Sequence, residues 1–217
     1  MDIQTAMENR SSCRSYLDES VSHDLIREIL SDASRAPSAL NMQPWEIHVV
    51  MGSERKRLSR KLIKSYRERG VTCGPGASKQ LPGVFMARAR KCADDMVPLV
   101  QKMGIDFKEF VNEGSLNFYG APCVVFIFMD DSFPPERMVD AGAFMGFLTL
   151  SAFSKGLGSC PIGLVNSYSA EIRDFLNIPE SKNLVISVAL GKTDSSKPIN
   201  GFRTQRATLD EVIRWID

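Results

Sequence analysis

The chain has 217 residues, 43% of them hydrophobic, and a formal net charge of +1 at pH 7. That length fits one large domain or two small ones, and that apolar fraction can supply a sizeable core. A charge so close to zero creates no global field for nucleic acid or an acidic membrane, so neither is an expected partner.

The five cysteines, Cys13, Cys73, Cys92, Cys123 and Cys160, are odd in number, widely spaced and free of any C-x-x-C pair. This pattern speaks against a disulfide framework and a zinc site, and it suits a reducing cytoplasm. The two histidines, His23 and His48, lie far apart, so no His-rich metal site is expected. The opening Met-Asp-Ile-Gln-Thr carries an acid and no apolar core, unlike a signal peptide. No apolar run approaches the roughly 20 residues that span a bilayer. The expectation is a cytoplasmic protein.

In chain order, Ser22 precedes a segment with Leu25, Ile26, Ile29, Leu30 and Ala33 on one face. It predicts a helix capped by Ser22, favoured by Asp24 in its first turn and stopped by Pro37. Ile47, Val49 and Met51 alternate with His48 and Val50, a strand pattern ending at Gly52. Arg55 to Arg69 places Leu58, Leu62, Ile63 and Tyr66 at helical spacing among eight Lys or Arg residues. That cluster reads as a solvated helix face, with a polyanion site as the alternative. Gly70, Gly74, Pro75, Gly76, Pro82 and Gly83 break the pattern. Phe85 to Val111 reads as helical, interrupted by Pro98. Residues 70–114 are too poor in strand signals to hold a core of their own. They read as a lid-like insertion within a single domain spanning 1–217.

Cys123 to Met129 is apolar on both faces and predicts a central buried strand. Val139 to Lys155 is apolar almost all round and ends at Gly156, a favourable residue after a helix. Such a helix belongs in a core or a subunit interface. A short helix follows from Ser169 to Leu176, ended by Asn177 and Pro179, then a strand from Leu184 to Leu190. Thr208-Leu-Asp-Glu211 is a capping box opening a final helix through Trp215. Helices alternating with strands suggest an α/β or α+β sandwich.

Four strings can carry chemistry. Arg10-Ser-Ser-Cys-Arg14 offers two guanidiniums and the hydroxyls of Ser11 and Ser12. A phosphate monoester carries about −1.5 to −2 charges at pH 7, and Arg matches its oxygens bidentately, so Arg10 can hold one. Taken alone, the string also reads as an exposed charged segment. In Ala36-Pro-Ser-Ala-Leu-Asn-Met-Gln-Pro-Trp45, Pro37 and Pro44 stiffen a loop. Ser38 and Ala39 are small enough for backbone to approach a planar ring, and Asn41 and Gln43 supply donors and acceptors. Gly156-Leu-Gly-Ser-Cys-Pro-Ile-Gly-Leu164 follows a helix rather than a strand and is not G-x-G-x-x-G, so a Rossmann loop is a poor reading. Asn200-Gly-Phe-Arg-Thr-Gln-Arg206 brings two further arginines to the start of the last helix.

Together these strings resemble the FMN-dependent nitroreductase family, over most of the chain. A-P-S-x-x-N-x-Q-P-W is the most specific single match. Phe118-Tyr-Gly-Ala-Pro122 and Asn200-x-Phe-Arg203 are most similar to its nitrobenzoate-reductase-like branch. The resemblance implies an α+β three-layer sandwich, with a central mixed, mainly antiparallel sheet flanked by helices. It implies a homodimer with FMN at the subunit interface, NADH or NADPH as donor, and a small nitroaromatic or quinone-like acceptor.

By the same resemblance, Arg10 with Ser11 and Ser12 reaches the FMN phosphate or ribityl chain, and Arg14 stands beside flavin N1 and O2. Pro37, Ser38, Ala39, Asn41 and Gln43 lie against the partner's flavin. Pro161 and Ile162 lead to Gly163 and Leu164, whose amides approach N5 and O4. Arg203 and Arg206 complete the phosphate clamp, which suits FMN rather than FAD. No side chain need act as a nucleophile, and no metal is implied. Residues 70–114 offer no side chain that matches the family's mid-chain flavin contacts. Ile162-Gly163 lacks the acid of some classical members. The alternatives are another flavin reaction on the same fold, such as reductive dehalogenation or flavin fragmentation, and a flavin-binding protein without turnover.

Overall fold

The apolar run in the middle of the chain forms the strand around which the other elements assemble. In the computed structural model, which describes residues 2–76 and 79–217, β2 (Cys123–Asp130) is buried at every position but its last. It pairs antiparallel with β1 (Trp45–Met51) on one side and β4 (Lys182–Gly191) on the other. β3 (Gly158–Ile162) pairs antiparallel with the far edge of β4, giving the order β1-β2-β4-β3. The four strands are thus wholly antiparallel. The parallel component of the expected mixed sheet is a single bridge, Ser12 to Ser159, which lays the N-terminal segment along the free edge of β3.

Strand alternation divides the core into two faces. Val124, Phe126 and Phe128 point into a cluster with Leu58 and Leu62 of α3 (Gly52–Arg69), Leu116 of α5 (Phe107–Leu116) and Ile172 of α7 (Ser169–Leu176). Cys123, Val125 and Ile127 point the other way. They meet Ile26, Ile29 and Ala33 of α2 (His23–Ala33), and Ala141, Phe144 and Leu148 of α6 (Met138–Ser154). Burying each large apolar side chain contributes about 1.5–3 kcal/mol, so both helical layers are held by the sheet. The result is the expected α+β three-layer sandwich. A third cluster lies off the sheet: Val100 of α4 (Gly83–Gln101) and Phe110 pack with Ile199 and Phe202.

Local signals act where the sequence places them. The Ser22 hydroxyl accepts from Leu25 N at 3.2 Å and starts α2. Asn177, at φ 54°, closes α7, and Gly156, at φ 80°, follows α6. The basic face of α3 is a solvated, ion-paired surface: Arg57 meets Glu54, Arg67 meets Glu113, and Lys61 meets Asp174.

Two expectations fail and one strand goes unread. Pro98 does not interrupt α4. It sits in the last turn, and the break comes at residues 102–106, around Gly104 at φ 73°. The capping box of Thr208 and Glu211 forms, but α8 spans only Leu209–Val212 and does not reach Trp215. Leu209, Val212, Trp215 and Ile216 are exposed, so no buried face sustains the helix. Residues 158–162, read in the sequence only as part of a glycine-bearing string after a helix, form an edge strand. Pro161 is tolerated there as it would not be in a central strand.

Candidate functional site

Three segments remote in sequence converge at the β3 edge of the sheet. The first is the N-terminal strap. Cys13 N donates to Ser159 O at 2.9 Å and Leu17 N to Lys192 O at 2.9 Å, so residues 12–17 run along the sheet margin. The approach leaves no room for a side chain at position 158. A Cβ on Gly158 would stand 2.7 Å from Cys13 Cβ and 2.4 Å from Thr193 Oγ1.

The second segment is the turn of residues 198–201. The Asn200 side chain is a hub: its Oδ1 accepts from Arg14 N at 2.8 Å, and its Nδ2 donates to Ser15 O at 2.8 Å and Asp194 O at 2.9 Å. The Arg14 backbone is therefore fixed from two sides, by β3 and by Asn200. The third segment is the turn after α5, where Tyr119 packs against both the sheet cluster and the off-sheet cluster.

The Arg14 side chain is half-buried, with Cys160, Tyr119 and Cys92 in its electrostatic surroundings. Burial works against its charge, but the electrostatic pull of Cys160, Tyr119 and Cys92 outweighs this, and its pKa is raised. Burial pushes the Cys160 thiol up to about 11 even though Arg14, Ser12 and Arg10 oppose the shift. Ser12, Arg10 and Arg14 thus share one electropositive corner, with β3 as its floor.

Among the described residues, none of Arg10, Arg14, Arg203 and Arg206 pairs with a carboxylate, a state they share with Arg27, Arg35, Arg55, Arg60, Arg90, Arg173 and Arg214, whereas Arg57, Arg67, Arg69, Arg88 and Arg137 are paired. Arg203 instead donates to Asn200 O and Phe202 O, each at 2.9 Å. Arg206 donates to the Thr204 hydroxyl. Both are exposed. Four cations left without counter-ions suit an anionic guest, which is the chemistry a terminal phosphate requires.

Arg206 lines a cleft of about 380 Å³ with Phe202, Thr204, Val84, Arg88 and Cys92, between α4 and the C-terminal segment. Cys92 belongs both to this cleft and to the surroundings of Arg14, so the two adjoin. A larger cleft of about 710 Å³ lies at the opposite, β1 edge, among His23, Arg27, Val49 and Phe175. No predicted site residue lines it, and its size alone does not make it the chemical centre.

At the end of β3, Pro161 is half-buried, while the side chains of Ile162 and Leu164 turn into the core. Gly163 is exposed and opens the turn of residues 164–168. The Ser187 hydroxyl donates to Ile162 O at 3.2 Å and braces this exit from the strand.

The Pro37–Gln43 loop lies elsewhere, over α6. Ala39 N donates to the buried carboxylate of Asp140 at 3.4 Å, and Gln43 N donates to Ser38 Oγ at 3.0 Å. Gln43 Nε2 donates to Asn41 O at 3.1 Å. Leu40, Asn41 and Gln43 all have positive φ, at 50°, 55° and 48°. Such strain persists only where surroundings over-determine it and is concentrated at ligand sites. Among the described residues, no hydrogen bond joins this loop to the strap or to residues 161–164. One chain therefore brings together the arginine strap, β3 and Asn200, but not the Pro37–Gln43 loop. Sequence reasoning missed Tyr119, Asn200 and Cys160 as parts of the Arg14 surround. Only Phe118-Tyr-Gly-Ala-Pro122 and Asn200-x-Phe-Arg203, noted as strings, pointed near them.

The profile of the Nitroreductase family matches residues 7–192, and the chain belongs to that family. Nitroreductase NfnB of Mycolicibacterium smegmatis is 31% identical over 215 residues, covering 96% of this chain and 90% of that protein. A 4-nitrobenzoate reductase of Pseudomonas putida is 29% identical, covering 94% of this chain and 91% of its own. The crystal structure of the FMN-dependent nitroreductase NfnB from Mycobacterium smegmatis in complex with NADPH superposes with a TM-score of 0.88. It is 29% identical and covers 100% of both chains.

Proposed function

We propose that this protein binds FMN and uses NADPH or NADH to reduce nitroaromatic, quinone or related acceptors in a ping-pong cycle. The carrying observation is the family match over residues 7–192, in a chain whose Arg10 and Arg14 lie on the N-terminal segment that runs along β3. When bound, FMN supplies the redox chemistry, taking hydride at N5 and returning electrons to the acceptor. The protein supplies position and charge. Arg10, with Ser11 and Ser12, and Arg203 and Arg206 hold the phosphate and ribityl chain. Arg14, fixed along its backbone by Asn200, offers a cation to the pyrimidine edge, where negative charge accumulates on reduction. Gly163 and Leu164 offer backbone donors, with Pro161 and Ile162 setting the end of the strand beneath them.

The active unit is a homodimer. Ile3 and Met7 of α1 (Ile3–Asn9), Leu40 and Met42 of the loop, and Met138, Val139 and Phe147 of α6 are exposed, an apolar set that a second copy would cover. In that dimer the Pro37–Gln43 loop, strained and free of its own chain's strap, completes the partner's site. The chain acts as one domain, with residues 70–114 covering the cofactor, in a cytoplasmic setting. Among the described residues no helix is long and apolar enough to cross a membrane.

The test is direct. Purified protein should be yellow, release FMN on denaturation, and oxidise NADPH or NADH steadily when nitrobenzoate is added. Release of FAD, or no flavin uptake after reconstitution with FMN, would refute the reading. Flavin uptake without acceptor-dependent turnover would reduce it to a binding protein.

A further inference from the structure

We propose that Ser187 and Asn166 are positioning residues for the amides of Gly163 and Leu164: each holds the carbonyl of one peptide and so fixes where the N–H of that peptide points. This rests on the reading that these two amides face the flavin.

Among the described residues, Gly163 N and Leu164 N donate to no backbone oxygen of a turn or loop, so both are free for a guest. Their carbonyl counterparts are not free. The Ile162 carbonyl and the Gly163 N–H belong to one peptide, and the Gly163 carbonyl and the Leu164 N–H to the next. A trans peptide is planar, so holding its oxygen sets the direction of its hydrogen. Ser187, fully buried in β4, donates its hydroxyl to Ile162 O at 3.2 Å. Asn166 N donates to Gly163 O at 3.0 Å.

Asn166 is itself tied down by an irregularity of the sheet. The ladder between β3 and β4 ends at Ile162, opposite Ser187. Beyond that point, Ile127 of β2 stands opposite Ile186 but Phe128 stands opposite Leu184, so Val185 is an extra residue in β4. A bulge of this kind disrupts the ladder and leaves backbone groups in need of other partners. The Asn166 side chain supplies one: its Nδ2 donates to Val185 O at 2.7 Å and reaches Leu184 O at 3.3 Å. Its Oδ1 is buried without a partner among the described residues, so the side chain bonds to β4 through Nδ2 alone.

The far end of the turn is held separately. Tyr168 Oη donates to Val71 O at 2.9 Å, and Arg69 donates to Ser167 O at 3.2 Å. Loss of either positioning group therefore lets the front of the turn swing without detaching it.

Ser187→Ala deletes one hydroxyl, and Asn166→Leu keeps the bulk and deletes the side-chain donor. In protein loaded with FMN carrying 15N at N5, both should move the N5 resonance downfield, toward its position in an apolar solvent. Flavin reduction by NADPH should slow about ten- to a hundredfold in stopped flow. FMN Kd should stay within about threefold, because the phosphate contacts lie on other segments. In flavin-free protein, amide hydrogen exchange at residues 163–168 should quicken in both. Ser22→Ala, which loosens α2 on the other face of the sheet, should change neither the resonance nor the exchange of that turn. Ser187→Ala carries the test alone should Asn166→Leu not fold. A parental N5 resonance in the variants would overturn the positioning role, as would parental exchange across the turn. A parent protein whose N5 resonance already sits at the apolar position would instead overturn the placement of the amides at the flavin, and this role with it. Exchange in the flavin-free variants would still decide whether Ser187 and Asn166 hold the turn.

Discussion

Gly158→Ala tests the architecture of the strap with a single methyl group. The added Cβ would meet Thr193 Oγ1 at 2.4 Å, Cys13 Cβ at 2.7 Å and Cys13 Sγ at 2.9 Å. The threonine hydroxyl can rotate away. Cys13 Cβ cannot, because Cys13 N is bonded to Ser159 O and Tyr16 Oη donates to Cys13 O at 3.0 Å. Strap and strand must therefore separate by several tenths of an ångström. Overpacking of this kind costs about 1–3 kcal/mol. For a chain of this size each kcal/mol lowers the melting temperature by about 2–4 °C, so the fall should be roughly 2–12 °C. The strap carries Arg10 and Arg14, so FMN affinity should weaken in the same variant, beyond what heat lability alone predicts. Calorimetry and fluorescence titration with FMN at 25 °C measure the two effects. Adding Thr193→Ala removes the nearest of the three neighbours and should recover part of the stability. A Gly158→Ala protein with parental melting temperature and parental FMN affinity would refute the claim that the strap is seated by backbone contact.

Other outcomes follow from the same structure. On the proposed placement, Arg206→Ala removes a cation from the phosphate and Arg14→Ala one from the ring, so Arg206→Ala should weaken FMN binding more; equilibrium binding in the two variants decides it. Burial raises Cys160 from 9.0 to about 11 and Cys123 from 9.0 to about 12, so the folded state holds protons the unfolded chain releases. Their stabilising contribution is complete below about pH 9 and is lost as pH rises toward 11 and 12, so denaturant midpoints should fall over that window, less steeply in Cys160→Ala. Cys73 is exposed while Cys13, Cys123 and Cys160 are buried, so mass spectrometry after brief iodoacetamide treatment should find Cys73 alkylated and those three intact. Ser22→Ala removes the cap of α2 and should cost about 0.5–2 kcal/mol by urea titration.

What the sequence announced were features decided within a few residues. The Ser22 cap, the apolar run of β2, the glycine after α6 and the bounds of α7 depend on near neighbours, and each appears as read. Features decided by distant partners were hidden. β3 is short, glycine-bearing and contains Pro161, so it carries little strand signal; β4 and Ser12 make it a strand. The final capping box is real, yet a cap only starts a helix, and among its described residues α8 buries no side chain that would prolong it. The arginines could be picked out as residue types suited to a phosphate. Their surround could not, because Asn200 bonds to Arg14, and Tyr119 enters its electrostatic surroundings, from segments more than a hundred residues along the chain.

That distance has a consequence for how the protein lives without its cofactor. Arg14 and Asn200 are 186 positions apart, and their bond closes almost the whole chain into a ring. Closing so long a loop is entropically costly, and the strap is a margin of the sheet rather than its centre. The empty protein should therefore loosen first where its two ends meet, while β2 and its neighbours hold. A guest gripped from both ends acts as a clasp. Its affinity adds to the stability of that seam by mass action, so protease resistance and amide protection at residues 10–17 and 198–206 should rise together with cofactor concentration.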